Sequence, residues 1–114
     1  ARFEIESAEA ALNALLSEGL EFDGVFGSSD LVALGAIRSL SQAGRRVPQD
    51  VSVVGYDNIG LAAYSLPSLT TISQDLGKAG RVIVSKLLAA SDGAAMPSER
   101  LPTELIVRES CGLA

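Results

Sequence analysis

Apolar residues recur along the chain with two different periods, and each change of period marks the end of one element. Over residues 5–16, Ala8, Leu12, Leu15 and Leu16 fall on one face of a 3.6-residue helix, with Glu9 and Asn13 elsewhere, and Gly19 supplies a stop signal. Val25-Phe26-Gly27 then reads as a short apolar strand. Ser28-Ser29-Asp30 carries N-cap chemistry for a second helix over about residues 31–43, closed by Gly44. Val51-Ser52-Val53-Val54-Gly55 is too continuously apolar for a strand with one wet face, so it predicts a strand buried on both sides.

Residues 58–68 contain Gly60 and Pro67, lack a period, and read as a long, partly ordered loop or a short helix. Leu69-Thr70-Thr71-Ile72 is a strand with β-branched residues. Gln74-Asp75 caps a third helix over residues 76–90, with Leu76, Ile83 and Leu87 on one face and Gly80 beside it. Gly77 and Gly80 suit close helix packing. Asp92-Gly93 ends that helix, residues 93–97 form a short flexible link, and residues 101–108 form a last strand that Pro102 places near an edge.

Strands alternating with helices of this length imply right-handed crossovers, and hence an α/β fold with a mostly parallel sheet flanked by helices. Two features point to a fragment of something larger. The chain opens on a helix with no strand before it, and a four-stranded sheet would be open on one side.

The helix beginning Leu31-Val32-Ala33-Leu34-Gly35-Ala36-Ile37 is apolar around its whole circumference for two turns. A surface helix carries a polar stripe. One face must cover the sheet, and the other needs a further layer or a second subunit. Few residues remain for another layer, so Leu31, Leu34 and Ile37 are read as a self-association surface.

Composition narrows the chemistry. The chain has 114 residues, 47 % of them hydrophobic but only 4 % aromatic, which predicts an aliphatic core. Its net charge of −5 argues against nucleic-acid binding by this segment, because phosphate contacts need clustered Lys and Arg. The one adjacent pair, Arg45-Arg46, follows a helix end, where cations complement the dipole. Histidine is absent, which removes His-based triads, His metal ligands and the commonest general base. The single cysteine, Cys111, excludes an internal disulfide and any multi-cysteine metal site, and it suits a reducing cytoplasm. No apolar run is long enough to span a membrane, and no basic stretch with an apolar segment behind it opens the chain. Neither Gly-x-Gly-x-x-Gly nor a Walker spacing is present. No cofactor, metal site or catalytic residue is therefore expected, and the chain is not read as an enzyme.

Two strand ends place polar groups at one edge of the expected sheet, Ser28-Ser29-Asp30 after Val25-Phe26 and Asp57-Asn58 after Val51-Ser52-Val53-Val54-Gly55. Ligands of open α/β sheets bind in the crevice outside the carboxyl ends of the strands. An ionised Asp accepts hydrogen bonds from two adjacent hydroxyls, so such an edge suits a neutral, hydroxyl-rich ligand. Simpler roles stand beside this one. Asp30 is equally a first-turn acid offsetting the helix dipole, Ser28 or Ser29 a plain N-cap, and Asp57 a turn residue.

The chain resembles the effector-binding domain of the LacI/GalR (lactose-repressor-like) family of bacterial transcription regulators. The resemblance lies in Phe22-Asp23-Gly24-Val25-Phe26, in Ser29-Asp30 followed by Ala33-Leu34-Gly35-Ala36, and in Gly44-Arg45-Arg46-Val47-Pro48-Gln49-Asp50-Val51-Ser52-Val53-Val54-Gly55-Tyr56-Asp57-Asn58. It continues through Pro67-Ser68-Leu69-Thr70-Thr71-Ile72 and the tail Leu101-Pro102-Thr103-Glu104-Leu105-Ile106-Val107-Arg108-Glu109-Ser110-Cys111, and so covers essentially the whole chain.

This resemblance implies a type I periplasmic-binding-protein-like lobe from a two-lobed domain that holds its effector between the lobes. Residues 1–72 would belong to the C-terminal lobe. Residues 73–98 would cross back to the N-terminal lobe, and residues 99–114 would return as a terminal strand and tail. A helix-turn-helix that meets operator DNA would lie upstream, outside this chain. The effector, a sugar or nucleoside-like molecule, would meet Asp57, Ser29 and Gln74, where Ser29 replaces the family's usual Asn with a shorter donor. Homodimer contacts would fall on the helix from Leu31 to Leu40 and on the loop from Tyr64 to Leu66. A sugar-binding receptor of a transport system shares the fold and is the alternative reading.

Overall fold

A computed structural model of the chain describes residues 2–91, 93 and 101–112. The first helix, α1 (Arg2–Ser17), turns its Ala8, Leu12 and Leu16 side inward, and Leu12 is buried, while Leu15 stays exposed. Gly19 adopts φ 75° past its end, a left-handed position where glycine costs least, and its N–H donates to the Leu16 carbonyl at 3.1 Å. The strand β1 (Gly24–Phe26) follows, then α2 (Asp30–Gln42) and the strand β2 (Ser52–Val54). The two strands are parallel, with Gly24 opposite Ser52, Val25 opposite Val53 and Phe26 opposite Val54.

The helix α2 carries the core. Ala33, Ala36, Ile37 and Leu40 are buried with Val51, Val53, Ala62 and Leu69. Its other side is covered by α1 of the same chain. A Cβ on Gly35 would lie 2.7 Å from the Ile5 carbonyl oxygen and 3.0 Å from Ala8 Cβ, so only glycine lets the two helices approach this closely. Ser39 Oγ donates to the Glu9 carbonyl at 3.3 Å across the same contact. The layer that the sequence left to a second subunit is therefore supplied by α1. Ile37 belongs to the chain's own core, which corrects its reading as an interface residue, while Leu31 and Leu34 remain half-buried.

β2 also differs from expectation. Val51, Val53 and Gly55 are buried, but Ser52 and Val54 are only half-buried, so one face of the strand is covered and the other partly open. After β2 a single 3₁₀ turn (Gly60–Ala63) buries Ala62 within the aperiodic stretch. The chain then runs through β3 (Thr71–Gln74), α3 (Leu76–Ser91) and β4 (Thr103–Ile106). Among the described residues there are two strand pairs in place of one four-stranded sheet, β1 with β2 and β3 with β4, and an isolated parallel bridge joins Val54 to Thr70.

The tail after β4 is built into the core. The Val53 N–H donates to the Ser110 carbonyl at 2.8 Å, and Ser110 Oγ donates to the Val53 carbonyl at 2.6 Å. The same hydroxyl oxygen accepts from the Thr70 N–H at 2.8 Å, so the wholly buried Ser110 is satisfied as donor and acceptor.

The chain divides into two compact units, Ala1–Ser73 with Leu105–Ala114, and Gln74–Glu104. In the second, Asp75 caps α3 by accepting from the Lys78 N–H at 2.9 Å. No residue of α3 is buried, and Leu76, Ile83 and Leu87 are all exposed. Among the described residues, leaving aside the helix's own backbone and the chain neighbours, nothing lies within 4 Å of a Cβ built on Gly80, and around Gly77 the near atoms are those of Arg81 and Asp75. Within this chain a close helix approach occurs at Gly35. The expected helix end at Asp92 and the link over residues 94–97 lie outside the described residues.

Candidate functional site

Because β1 and β2 are parallel and in register, the residues that follow them leave from the same end. Hydrogen bonding continues past the strands. The Gly27 N–H donates to the Val54 carbonyl at 2.8 Å, and the Asp30 N–H donates to the Tyr56 carbonyl at 2.9 Å. The two polar loops are thus held side by side.

Ser29 is the N-cap of α2, with extended backbone (φ −145°, ψ 165°). Its Oγ accepts from the Val32 N–H at 3.3 Å and donates to Glu4 Oε2, in the first turn of α1, at 3.4 Å. Ser28 stands exposed beside it.

Asp30 is fully buried, and its side chain turns away from solvent. Oδ2 accepts from the Ile59 N–H at 2.7 Å, and Oδ1 accepts from Thr71 Oγ1 at 2.5 Å. A side chain on Gly55 would run into Oδ1, which explains a glycine at the end of β2. Asp30 is therefore a clamp between the start of α2, the loop after β2 and the start of β3. It stands in the first turn of α2, as the sequence suggests, with both carboxylate oxygens bonded inside the protein.

Asp57 differs in exposure and in backbone. It is exposed and sits at φ 112°, followed by Asn58 at φ 57°, two consecutive left-handed residues that are not glycine. Such conformations cost on the order of 1–3 kcal/mol each and persist only where the surroundings determine them. Here the Asp57 N–H donates to the Ile72 carbonyl at 2.9 Å, and the Asn58 N–H donates to Thr71 Oγ1 at 3.3 Å. Asn58 Oδ1 accepts from the Arg108 guanidinium at 2.9 Å. The turn places the exposed Asp57 just past the carboxyl end of β2, the edge at which open α/β sheets bind ligands.

Ser28, Ser29, Asp30 and Asp57 all belong to the first unit, whereas Gln74, the exposed last residue of β3, belongs to the second. Two clefts open elsewhere on the first unit, of about 370 and 720 Å³, where Val47 and Gln49 meet Leu66 and Pro67. Neither is lined by Ser29, Asp30 or Asp57. Leu66 is 90 % exposed at their rim, with Tyr64 exposed nearby. Among the described residues no group of three or more His, Cys, Asp or Glu is arranged to hold a metal ion.

Sequence reasoning missed three contributors. Thr71 reads as a β-branched strand residue, and its hydroxyl, the hub between Asp30 and Asn58, leaves no mark in the hydrophobic pattern. Arg108 stood in the tail with no visible partner. Glu4 lies 25 positions before Ser29, and no local signal joins them.

Residues 2–111 match the family described as "Periplasmic binding protein-like domain". The chain is 38 % identical over 112 residues to the ribose operon repressor of Halalkalibacterium halodurans, covering 96 % of this chain and 34 % of that protein. Its structure is similar to that of the lac repressor dimer bound to operator and the anti-inducer ONPF, with a TM-score of 0.87, 36 % identity, and coverage of 92 % of this chain and 37 % of the other. It is also similar to the transcriptional regulator CelR in its cellobiose complex, with a TM-score of 0.82, 40 % identity, and coverage of 93 % and 33 %. The chain spans about a third of the length of these relatives. It belongs to the periplasmic-binding-protein-like domain family, in the branch of the LacI-type transcriptional regulators.

Proposed function

We propose that this chain is the effector-sensing and dimerising part of a LacI-type transcriptional regulator, acting in the cytoplasm. A small sugar-like or nucleoside-like molecule binds between two lobes and changes how an upstream helix-turn-helix engages operator DNA. The observation that carries this reading is Asp57, an exposed carboxylate held on a left-handed turn at the carboxyl edge of a parallel strand pair. Ser29 and Gln74 are the other residues assigned to the ligand. The cellobiose complex of CelR supports a hydroxyl-rich effector.

The lobes are assigned as residues 1–72 and 73–98, with residues 99–114 returning as the terminal strand and tail. The division of the chain between Ser73 and Gln74, and again between Glu104 and Leu105, supports this assignment. Dimer contacts are assigned to Leu31, Leu34 and Leu66, and the exposure of Leu66 supports that choice. The relatives named above are regulators, which favours this reading over a transport receptor and over an enzyme.

Asp57→Ala in the full gene product tests the site. It should weaken effector binding by more than about 1.5 kcal/mol, the scale of a hydrogen bond to a charged group, which is more than tenfold in affinity. Calorimetry giving the same affinity for both proteins would remove Asp57 from the site.

A further inference from the structure

We infer that Arg108 is a positioning residue for the ligand site, acting through Asn58 on the Asp57 turn; this rests on the role proposed above for Asp57. Arg108 follows β4 by two positions, and three of its groups reach back to the segments that frame the turn. Its backbone N–H donates to Thr70 Oγ1 at 2.8 Å, one guanidinium nitrogen donates to the Leu69 carbonyl at 3.0 Å, and the other donates to Asn58 Oδ1 at 2.9 Å. The planar guanidinium fixes both of its side-chain bonds in one orientation, which a lysine with a single nitrogen cannot reproduce.

Asn58 is the second of two consecutive non-glycine residues at positive φ, and its side-chain oxygen is anchored by Arg108. The turn is thereby tied to β3 and to the segment that follows β4. Asp57 and Asn58 bond to Ile72 and Thr71 of β3, and Arg108 extends the chain beyond β4. The segment after β4 is coupled to Asp57 through the Asn58 side chain, alongside the backbone bond from Asp57 to Ile72 of β3. Arg108 thus sets both the direction of the carboxylate and its sensitivity to the crossing strands.

The test uses the full gene product, with amide hydrogen exchange at Asp57 and Asn58 as a ligand-free measurement. Calorimetric titration with cellobiose and D-ribose is the second measurement. Asn58→Gly keeps the left-handed backbone without strain but removes the acceptor. Asn58→Gly and Arg108→Ala should each speed exchange at the turn, and weaken binding of whichever sugar the wild type takes, by at least tenfold. The double variant should go no further than either single one, and Asn58→Asp, which keeps an acceptor, should restore both readouts.

Exchange at Asp57 within twofold of wild type in Asn58→Gly would overturn the inference. So would multiplicative effects in the double variant, or exchange rising equally at Ala36 and Ile37, which would mean a general loss of stability. If the wild type binds neither sugar but the exchange pattern holds, the positioning role stands and the assigned ligand class fails.

Discussion

The helices α2 and α3 are both rich in aliphatic residues, yet they end in opposite environments. Seven residues of α2 are buried, including Ala33, Ile37 and Leu40, and none of α3 is. The difference does not lie in hydrophobicity. α2 is flanked in sequence by the two strands it covers and preceded by α1, whose Ile5 and Ala8 come against Gly35. α3 has an apolar face at helical spacing, with Leu76, Ile83 and Leu87 exposed. An apolar period states that a face is fit for burial, but not which part of a protein covers it.

The strongest way to break this comparison is to truncate one leucine in each helix. Leu40 has no exposed surface and packs in the core, so Leu40→Ala in the 114-residue chain should cost about 3 kcal/mol in urea denaturation, within the range for buried leucines. Leu87 is 64 % exposed, and Leu87→Ala should change stability by less than about 0.5 kcal/mol. Equal losses would show that α3 is covered in solution. The full gene product sharpens the point. There the proposed N-terminal lobe should raise the cost of Leu87→Ala towards about 2 kcal/mol.

The same contrast recurs in the two carboxylates at the strand ends. Asp30 is buried with both oxygens bonded to the Ile59 N–H and the Thr71 hydroxyl, and Asp57 is exposed on a turn. Asp30→Ala should cost about 2 kcal/mol or more in stability, because it strands both donors away from water. Asp57→Ala should cost less stability than Asp30→Ala while weakening effector binding. A variant pair with these effects exchanged would reverse the assignment of clamp and ligand group.

Much of this was legible in the residues. The positions of α1, α2 and β2 follow from periods and stop signals to within a few residues. The edge carrying Ser29 and Asp57 follows from the rule that parallel strands end together. What was not legible is long-range and polar. Asp30 faces inward because Thr71, forty-one positions later, offers a hydroxyl. Ile37 is hidden because Gly35 lets α1 approach. Ser110 enters the core because its hydroxyl and backbone replace strand pairing at Val53. Each depends on a partner that no local window contains, and hydrophobic pattern is blind to hydroxyls. The double-sided burial read into β2 failed for a related reason, since continuous apolarity allows two covered faces without supplying the second cover.

The smallest expected effect concerns acid stability, and it separates two surface carboxylates of the first unit. Hydrogen bonds from the Ser68 N–H at 3.1 Å and the Ser68 hydroxyl at 3.0 Å hold the Glu109 carboxyl below its ordinary range. Bonding to the Arg46 side chain, and then to its N–H, does the same for Asp50. A folded value below the unfolded one means that the stabilisation is complete above the unfolded value, about 4 for either residue, and is lost as pH falls through the folded value. Stability measured from pH 6 to pH 2 should therefore decline on the acid side, and Glu109→Gln and Asp50→Asn should each make that decline shallower. Salt distinguishes them. The Asp50 contribution comes partly from the opposite charge of Arg46 and should shrink when ionic strength is raised towards about 1 M, where screening acts within a few ångströms. The Glu109 contribution comes from neutral Ser68 donors and should persist. An acid limb that loses its Glu109 component in high salt would mean that the carboxylate answers to charge rather than to the serine that joins the tail to the start of the Leu69-Thr70-Thr71 segment.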